Sequence, residues 1–413
     1  MHLFSRRNFL RLSTSGLLLP KSALADADER KFVFIFCQGG WDQCYFAAPL
    51  FDSSLVDMEG NVQLGTANDI PFVDSSYRPS VRDFFETYGN RTCLINGFES
   101  RSVAHDICLR LVSTGKSLSN SDDWPSIIAA HATSNPIMPF VSISGPTYTS
   151  RYDSTVVRVG SSGQLSKLLS GSTLNELGVT PPPADIEALE DRWMSDLLEQ
   201  RRSQVFRGRA MEIMEKAVTA DERRERLEEL QSELSISAST NLKENLNLCV
   251  DLLQFGSSRS IMIGYQGYQD LGWDTHAANH LQGIHLENLF SDLNDFLYEL
   301  KNTTTISGSS LLDNTTVVLL SEMGRFPQVN SRGGKEHWTF TSAIFIGSGI
   351  RGGQSIGLYN DYCFGEPVDL QTGHPSSQGT ALLPGHIGAT LLKLADIDSQ
   401  EYISEPPIEA AIL

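Results

Sequence analysis

The segment KFVFIFCQGGWD, residues 31–42, decides the fold class of this chain. The residues that follow Lys31 are continuously apolar up to Cys37, and a pair of glycines ends the run shortly afterwards. Such a short run, rich in Phe, Val and Ile, is typical of a strand buried on both faces of a parallel sheet. Further runs of the same character occupy residues 91–100, 139–145, 259–267, 315–324 and 341–349.

Helical patterns separate these predicted strands. Residues 80–89, 280–302 and 385–397 repeat their apolar side chains at the spacing of one helix face. Strands that alternate with helices predict an α/β sandwich with a mainly parallel sheet. From residue 181 to about 252 the chain is charged and helical, which predicts a helical insertion. An amphipathic hairpin on the sheet domain, a partner-binding arm and a substrate cap are alternative interpretations of this insertion.

The first 25 residues resemble a bacterial export signal. Arg6 and Arg7 precede a weakly apolar stretch that ends in the Ala-Leu-Ala of residues 23–25, a cleavage pattern. The arginine pair is similar to the twin-arginine signal, so we expect the twin-arginine translocase as a partner and the periplasm as the destination. A mature chain from Asp26 follows, and no other segment approaches the roughly 18–20 apolar residues of a membrane span.

Charge and cysteine content narrow the function classes. The 413 residues carry a formal net charge of −18, with 50 acidic and 32 basic residues. This balance disfavours nucleic acid and anionic membranes as partners. Six cysteines occur without a C-x-x-C pair, which disfavours a zinc knuckle and leaves any disulfide unassigned. The absence of G-x-S-x-G and H-E-x-x-H disfavours an ordinary serine esterase and that class of metalloprotease.

Residues with metal-binding or anion-binding side chains lie near the ends of the predicted strands. They are Asp42, His105, Asp274, His276, Glu322, Arg325 and His337. Ligands of open α/β sheets bind where the carboxyl ends of the strands meet. Carboxylate and imidazole together suit Zn²⁺, Mn²⁺ or a similar divalent ion. Each residue alone has an ordinary structural interpretation, as a cap, turn former or buried ion pair, so the prediction depends on their coincidence at strand ends.

The order of short motifs resembles one bacterial family. The motifs are GGWD at 39–42, His105 ten residues before Gly115, WDTH at 273–276, SEMGR at 321–325, EHW at 336–338 and GSGIRGG at 347–353. Together they resemble domain-of-unknown-function family 1501 over almost the whole mature chain. That family is similar to the alkaline phosphatase and sulfatase superfamily. The resemblance implies one three-layer α/β/α sandwich over residues 26–413, with a mainly parallel sheet and a two-metal site.

The resemblance also implies roles for matching positions. Asp42 and Glu322 resemble the strand-end carboxylates that share one metal. Asp274 and His276, together with His337, resemble the ligands of the other metal.

The expected activity is metal-dependent hydrolysis of a small phosphate or sulfate ester, with Zn, Mn, Mg or Ca as the metal. Arg325 and His105 would contact the substrate oxyanion. The residue before His105 is Ala104, where the family pattern has a serine nucleophile. Two alternatives therefore stay open: a non-catalytic binding or assembly protein with an exported partner, and a lyase or mutase that uses the same metals.

Overall fold

The computed structural model describes most of the chain. The described residues are 29–118, 120–160, 183–204, 208–211, 213–219, 221, 239–305 and 307–413. Their strands are β1 Lys31–Cys37, β2 Val62–Ala67, β3 Ile70–Ser75, β4 Thr92–Glu99, β5 Phe140–Ser142, β6 Val156–Arg158, β7 Ser260–Tyr265, β8 Thr315–Leu320, β9 Gly324–Arg325, β10 His337–Trp338, β11 Phe340–Gly347 and β12 Gln354–Ile356. Their α-helices are α1 Pro79–Tyr88, α2 His105–Thr114, α3 Trp124–Ala130, α4 Ala184–Arg202, α5 Leu242–Gln254, α6 Leu281–Asn302, α7 Leu311–Asn314 and α8 Pro384–Leu394.

One central sheet of eight strands organises the fold. Its strands follow the order β12-β4-β11-β8-β1-β7-β5-β6. Every neighbouring pair is parallel except the pairs that β11 makes with β4 and β8. The six predicted strands are therefore confirmed as members of a mainly parallel sheet. Because β11 runs the other way, its beginning lies at the edge where β1, β4, β7 and β8 end.

Helices cover both faces of the sheet. Alternate side chains of β1 enter two different cores, with Val33 and Ile35 in one and Phe32 and Phe34 in the other. The first core contains side chains of α1, α5 and α6, and the second contains side chains of α2, α3 and α8. A strand buried on both faces has no polar side to alternate, which explains the continuous apolar run. The predicted three-layer α/β/α sandwich is confirmed.

The predicted helical insertion is described in part. Helix α4 lies within it, and α5 begins within it and ends two residues beyond, at Gln254. The rest of the segment is partly outside the described residues, including 222–238, so its packing stays a prediction. The predicted export signal at residues 1–25 also lies outside the described residues. Within the described part of the chain, no helix is both long enough and apolar enough to cross a membrane.

A tight glycine turn follows β1 and brings two loops into contact. Gly39 has φ +124, a backbone conformation that side chains with a Cβ rarely adopt. A Cβ atom at this position would lie 2.8 Å from the main-chain nitrogen of Asp274. The turn after β1 and the loop after β7 can therefore pack this closely only because residue 39 has no side chain.

We predict that Gly39→Ala lowers the free energy of unfolding by about 2 kcal/mol or more, because it adds backbone strain and a clash. Gly60→Ala is the matched control, since a Cβ there has no heavy atom within 4 Å. It should change stability by less than about 0.5 kcal/mol. Urea unfolding followed by circular dichroism measures both, and equal stability of the two variants would contradict the role given to Gly39.

Candidate metal centre

Three side-chain atoms from two distant parts of the sequence converge at the edge where these strands end. Oδ1 of Asp274 lies 3.1 Å from Nε2 of His276 and 3.1 Å from Nε2 of His337. The two Nε2 atoms are 3.0 Å apart. Asp274 and His276 belong to the loop after β7, whereas His337 begins β10, just before β11. The side chain of Asp274 is 45% exposed, so the cluster is open to solvent.

Neighbouring groups orient both imidazole rings of this cluster. Nδ1 of His337 lies 2.7 Å from the carbonyl oxygen of Val103, to which it must donate its proton. Nδ1 of His276 lies 2.7 Å from Oε2 of Glu336. With the protons on the Nδ1 atoms, both Nε2 atoms present lone pairs toward each other and toward the Asp274 carboxylate. Three electron-pair donors at this separation need a cation or a shared proton between them.

The cluster fits a divalent metal of the zinc or manganese kind. Ligand atoms around a tetrahedral ion with bonds of about 2.0–2.1 Å lie about 3.3 Å apart, close to the spacing of this cluster. Two imidazoles and one carboxylate suit Zn²⁺ or Mn²⁺ better than Mg²⁺ or Ca²⁺, which prefer oxygen ligands. The Val103 carbonyl, which accepts from His337, and the Glu336 carboxylate beside Nδ1 of His276 are the kind of outer contact that typically orients ligating histidines.

His105 borders the cluster as the first residue of α2. Its Nδ1 atom donates to Oε1 of Glu322 at 2.8 Å, and its Nε2 atom lies 3.5 Å from Oδ2 of Asp274. Hydrogen bonds to Asp274 and Glu322 raise the pKa of His105 to about 9. His105, Asp274 and His337 also form a group whose ligand atoms all lie within 4.8 Å of one another. His105 can therefore act beside the cluster or as a further ligand.

Glu322 is fully buried and holds the start of α2 to the turn after β1. Its Oε1 atom accepts from the main-chain nitrogen of Gly39 at 2.8 Å as well as from His105. The structure thus places Glu322 behind His105. Its predicted service as a metal ligand stays a prediction.

Asp42 is also fully buried, and its partners are different from those of Asp274. Oδ2 of Asp42 lies 2.9 Å from Nζ of Lys335 and accepts from Asn279 at 2.8 Å. Oδ1 accepts from the main-chain nitrogen of Cys44. Burial lowers the pKa of Lys335, but the Asp42 carboxylate outweighs this effect and raises it. The structure therefore pairs Asp42 with a protein cation, and its predicted service as a metal ligand stays a prediction.

Arg325 is fully buried, and its guanidinium group is largely occupied by the protein. It donates to four main-chain carbonyl groups, those of Gly39, Gly40, Trp273 and Lys335. Its Nη2 atom also donates to Oδ1 of Asp274 at 2.7 Å. Burial raises the pKa of Asp274, but hydrogen bonds from His105 and Arg325 and the charge of the Arg325 guanidinium outweigh burial and hold that pKa well below its usual range. Arg325 thus orients Asp274, and its predicted contact with a substrate oxyanion stays a prediction.

The structure also assigns contacts that the sequence analysis did not anticipate. Glu336, Lys335 and Asn279 hold His276 and Asp42, as described above. Lys335 and Glu336 directly precede the predicted ligand His337, and this adjacency is the feature of the sequence that could have indicated their role. Ala104, which stands where the family pattern has a serine, is the N-cap of α2 and makes no side-chain hydrogen bond. The nearby Ser100 is buried, and its hydroxyl donates to the carbonyl of Thr339.

We predict that Asp42→Asn lowers the free energy of unfolding by about 3–5 kcal/mol, because it leaves the Lys335 ammonium buried without a charge partner. Adding Lys335→Met to this variant should recover part of the loss, since it removes the unpaired charge. The exposed pair Lys243–Asp295 offers a control, and Asp295→Asn should cost at most about 1 kcal/mol. Urea unfolding measures all the variants. The proposed ion pair is refuted if Asp42→Asn is as mild as the control.

Comparisons with known proteins give several solved structures of low similarity to this chain. No curated protein matches the sequence. A lipooligosaccharide phosphoethanolamine transferase from Neisseria meningitidis is similar at a TM-score of 0.43 and 12% identity, over 94% of this chain and 59% of that one. A sulfatase from Pseudoalteromonas sp. gives 0.39 and 9%, over 90% and 68%. A protein of the alkaline phosphatase superfamily from Vibrio parahaemolyticus gives 0.37 and 11%, over 91% and 68%.

The family itself is shown by a match along the sequence. Residues 87–372 match the model of the family described as "Protein of unknown function (DUF1501)". The matched range includes Asp274, His276 and His337 and the orienting contacts Val103, Glu322 and Glu336. The chain therefore belongs to the DUF1501 family, as its motif order predicts.

Proposed function

We propose that this chain is a metal-dependent hydrolase of phosphate or sulfate esters. The observation that supports the proposal best is the convergence of Asp274 Oδ1 with Nε2 of His276 and His337 at about 3 Å spacing. A divalent ion bound there would supply Lewis acidity and would lower the pKa of a bound water. Asp274, His276 and His337 are the proposed ligands, and the family resemblance supports the ester class.

The chain's own residues would prepare this site. Glu336 and the Val103 carbonyl keep the two imidazole lone pairs pointed inward, which removes the cost of ordering them at each turnover. The ring of His105 stands against that of His337, with centroids 4.4 Å apart, while Glu322 holds it from behind. A substrate oxygen at the exposed side of Asp274 would lie near Nε2 of His105. With Ala104 at the serine position, we propose water as the attacking group.

Metal content and turnover test this proposal together. We expect near-stoichiometric Zn or Mn in the purified parent by elemental mass spectrometry, and its loss in His276→Ala/His337→Ala. His280→Ala is the matched control, because this exposed histidine lies in the same loop and makes no hydrogen bond or ion pair with the cluster among the described residues. Glu336→Gln should weaken metal affinity roughly tenfold to a hundredfold.

The same proteins are then assayed with p-nitrophenyl phosphate, bis(p-nitrophenyl) phosphate and p-nitrophenyl sulfate. Turnover should vanish with a chelator, return with the metal and be absent from the double variant. A parent that binds no metal even after incubation with excess Zn²⁺ and Mn²⁺ would refute the proposal. Metal content of Asp42→Asn and Glu322→Gln decides whether either residue is an additional ligand, because an additional ligand should be needed for full occupancy.

A second candidate function is a non-catalytic binding or assembly protein with an exported partner. Ala104 at the position of the family's serine favours it, as does helix α4, which exposes Leu189 and Trp193. A stoichiometric metal without turnover of any ester, together with a partner that remains bound through gel filtration, would support this candidate. Turnover that requires the metal, without such a partner, would support the hydrolase.

We also propose export to the periplasm by the twin-arginine pathway, on the evidence of Arg6, Arg7 and the Ala-Leu-Ala of residues 23–25. Replacing both arginines by lysine should keep the full-length chain in the cytoplasm. Arg11→Lys is the control and should leave export intact. Cell fractionation followed by intact-mass analysis measures the outcome, and the exported form should begin at Asp26. Export of the Arg6→Lys/Arg7→Lys chain would contradict the assignment.

A further inference from the structure

Two cysteines that are far apart in the sequence meet in the interior of the fold. The sulfur atoms of Cys44 and Cys363 lie 4.0 Å apart, and both residues are fully buried. All six cysteines are in the described residues and all are free and buried. Among them, this is the pair whose sulfur atoms come into contact. A small apolar cluster with Ala48, Val56 and Tyr359 surrounds the pair and separates it from solvent.

The surrounding contacts hold both cysteines in position. Cys44 donates its main-chain N–H to Asp42, at 3.0 Å. Cys363 has φ +60 and its main-chain N–H donates to the carbonyl of Asn360, which closes a tight loop. The carbonyl of Cys363 accepts from Nε1 of Trp338 at 2.8 Å. Each cysteine is thus tied by its main chain to a neighbour of the proposed metal centre, since Trp338 follows His337 directly.

Gln43 links the two sides of this junction. Its amide nitrogen donates to the sulfur of Cys363 at 3.3 Å and to the carbonyl of Arg325 at 3.0 Å. Its amide oxygen accepts from the main-chain nitrogen of Arg325 at 3.0 Å. The segment that carries Asp42, the strand that carries Arg325 and the loop that carries Cys363 therefore share one side chain. A covalent bond between Cys44 and Cys363 would join two of these three segments, which Gln43 already holds together.

We propose that Cys44 and Cys363 form an intramolecular disulfide when the chain is exposed to a disulfide oxidant. One thiolate attacks a sulfur of the oxidant and forms a mixed disulfide, and the second cysteine then displaces the oxidant. The S–S bond forms, the two thiols release two protons and two electrons, and the oxidant's disulfide is reduced to two thiols. Closing the separation from 4.0 Å to about 2.05 Å requires side-chain rotation and a small approach of the loop.

The disulfide would stabilise the fold by cross-linking two distant parts of the chain. Its two ends are separated by 319 positions, so it would remove much conformational freedom from the unfolded state. It would also hold the loop of Cys363 against Trp338, on which Phe364 packs with ring centroids 5.2 Å apart. The inference concerns stability and does not depend on the proposed hydrolase activity.

Peptide mapping tests the bond directly. The chain is produced in bacterial cells whose cytosol holds a disulfide oxidoreductase and lacks its thiol-reducing pathways, so folding proceeds in the presence of the oxidant. Free thiols are blocked with iodoacetamide in denaturant, and the chain is digested without reductant. We expect a cross-linked peptide pair containing Cys44 and Cys363, with the other four cysteines alkylated. Alkylation of both Cys44 and Cys363, or pairing of either with another cysteine, would overturn the proposal.

A thermal unfolding measurement tests whether the disulfide stabilises the fold. Reduction by dithiothreitol should lower the Tm of the oxidised parent by roughly 5 °C. Cys249→Ser is the control, because this buried cysteine lies outside the pair, and its Tm should fall by the same amount on reduction. Cys44→Ser and Cys363→Ser should be insensitive to the reductant. If the Tm of the oxidised parent does not change on reduction, the proposed stabilisation by the disulfide is overturned, even if the cross-linked peptide is found.

Discussion

The arrangement of the site depends on the hydrogen bonds and the ion pair that the buried guanidinium group of Arg325 makes. A cation without exposure to water must be compensated by acceptors, and Arg325 finds them in the turn after β1, the loop after β7 and the hairpin before β11. The carboxylate of Asp274 supplies the opposite charge at 2.7 Å. Because one planar group with fixed donor directions serves all these acceptors, the loops are held at one relative position. The cluster of Asp274, His276 and His337 is built on these loops.

The second buried cation, Lys335, divides the carboxylates of the site into two kinds. Asp42 faces Lys335 and has no exposed surface, whereas Asp274 faces imidazole rings and remains open to solvent. Glu322 is buried like Asp42, but it orients His105. A buried carboxylate paired with a cation supports the fold, whereas a half-exposed carboxylate among lone pairs would be suited to bind an ion from solution. The chemistry of each acidic residue therefore depends on its partner more than on its position at the end of a strand.

The fold was predictable from the sequence to a large extent. The runs at residues 31–37 and 315–320 are strands buried on both faces of the sheet. Because both faces are buried, almost every side chain is apolar, and this composition can be recognised in the sequence. The helix at residues 281–302 was equally readable from its apolar spacing. The short strands β6 and β12 were not predicted, because they lie outside the continuous apolar runs, whereas the equally short β5 lies within one. The hairpin β9–β10 was not predicted either, because each of its strands has only two residues.

The sequence by itself determined the strands, the helices and the kinds of side chain that stand near the strand ends, because hydrophobic periodicity and turn residues are local properties. Only the tertiary structure decided which of those side chains meet. The antiparallel direction of β11 brings His337 to the same edge as His276, although a strand-end argument for parallel strands would place it at the opposite edge. Likewise, the pairing of Asp42 with Lys335 and of Glu322 with His105 is a matter of long-range packing. Partners separated by hundreds of residues leave no pattern along a single chain.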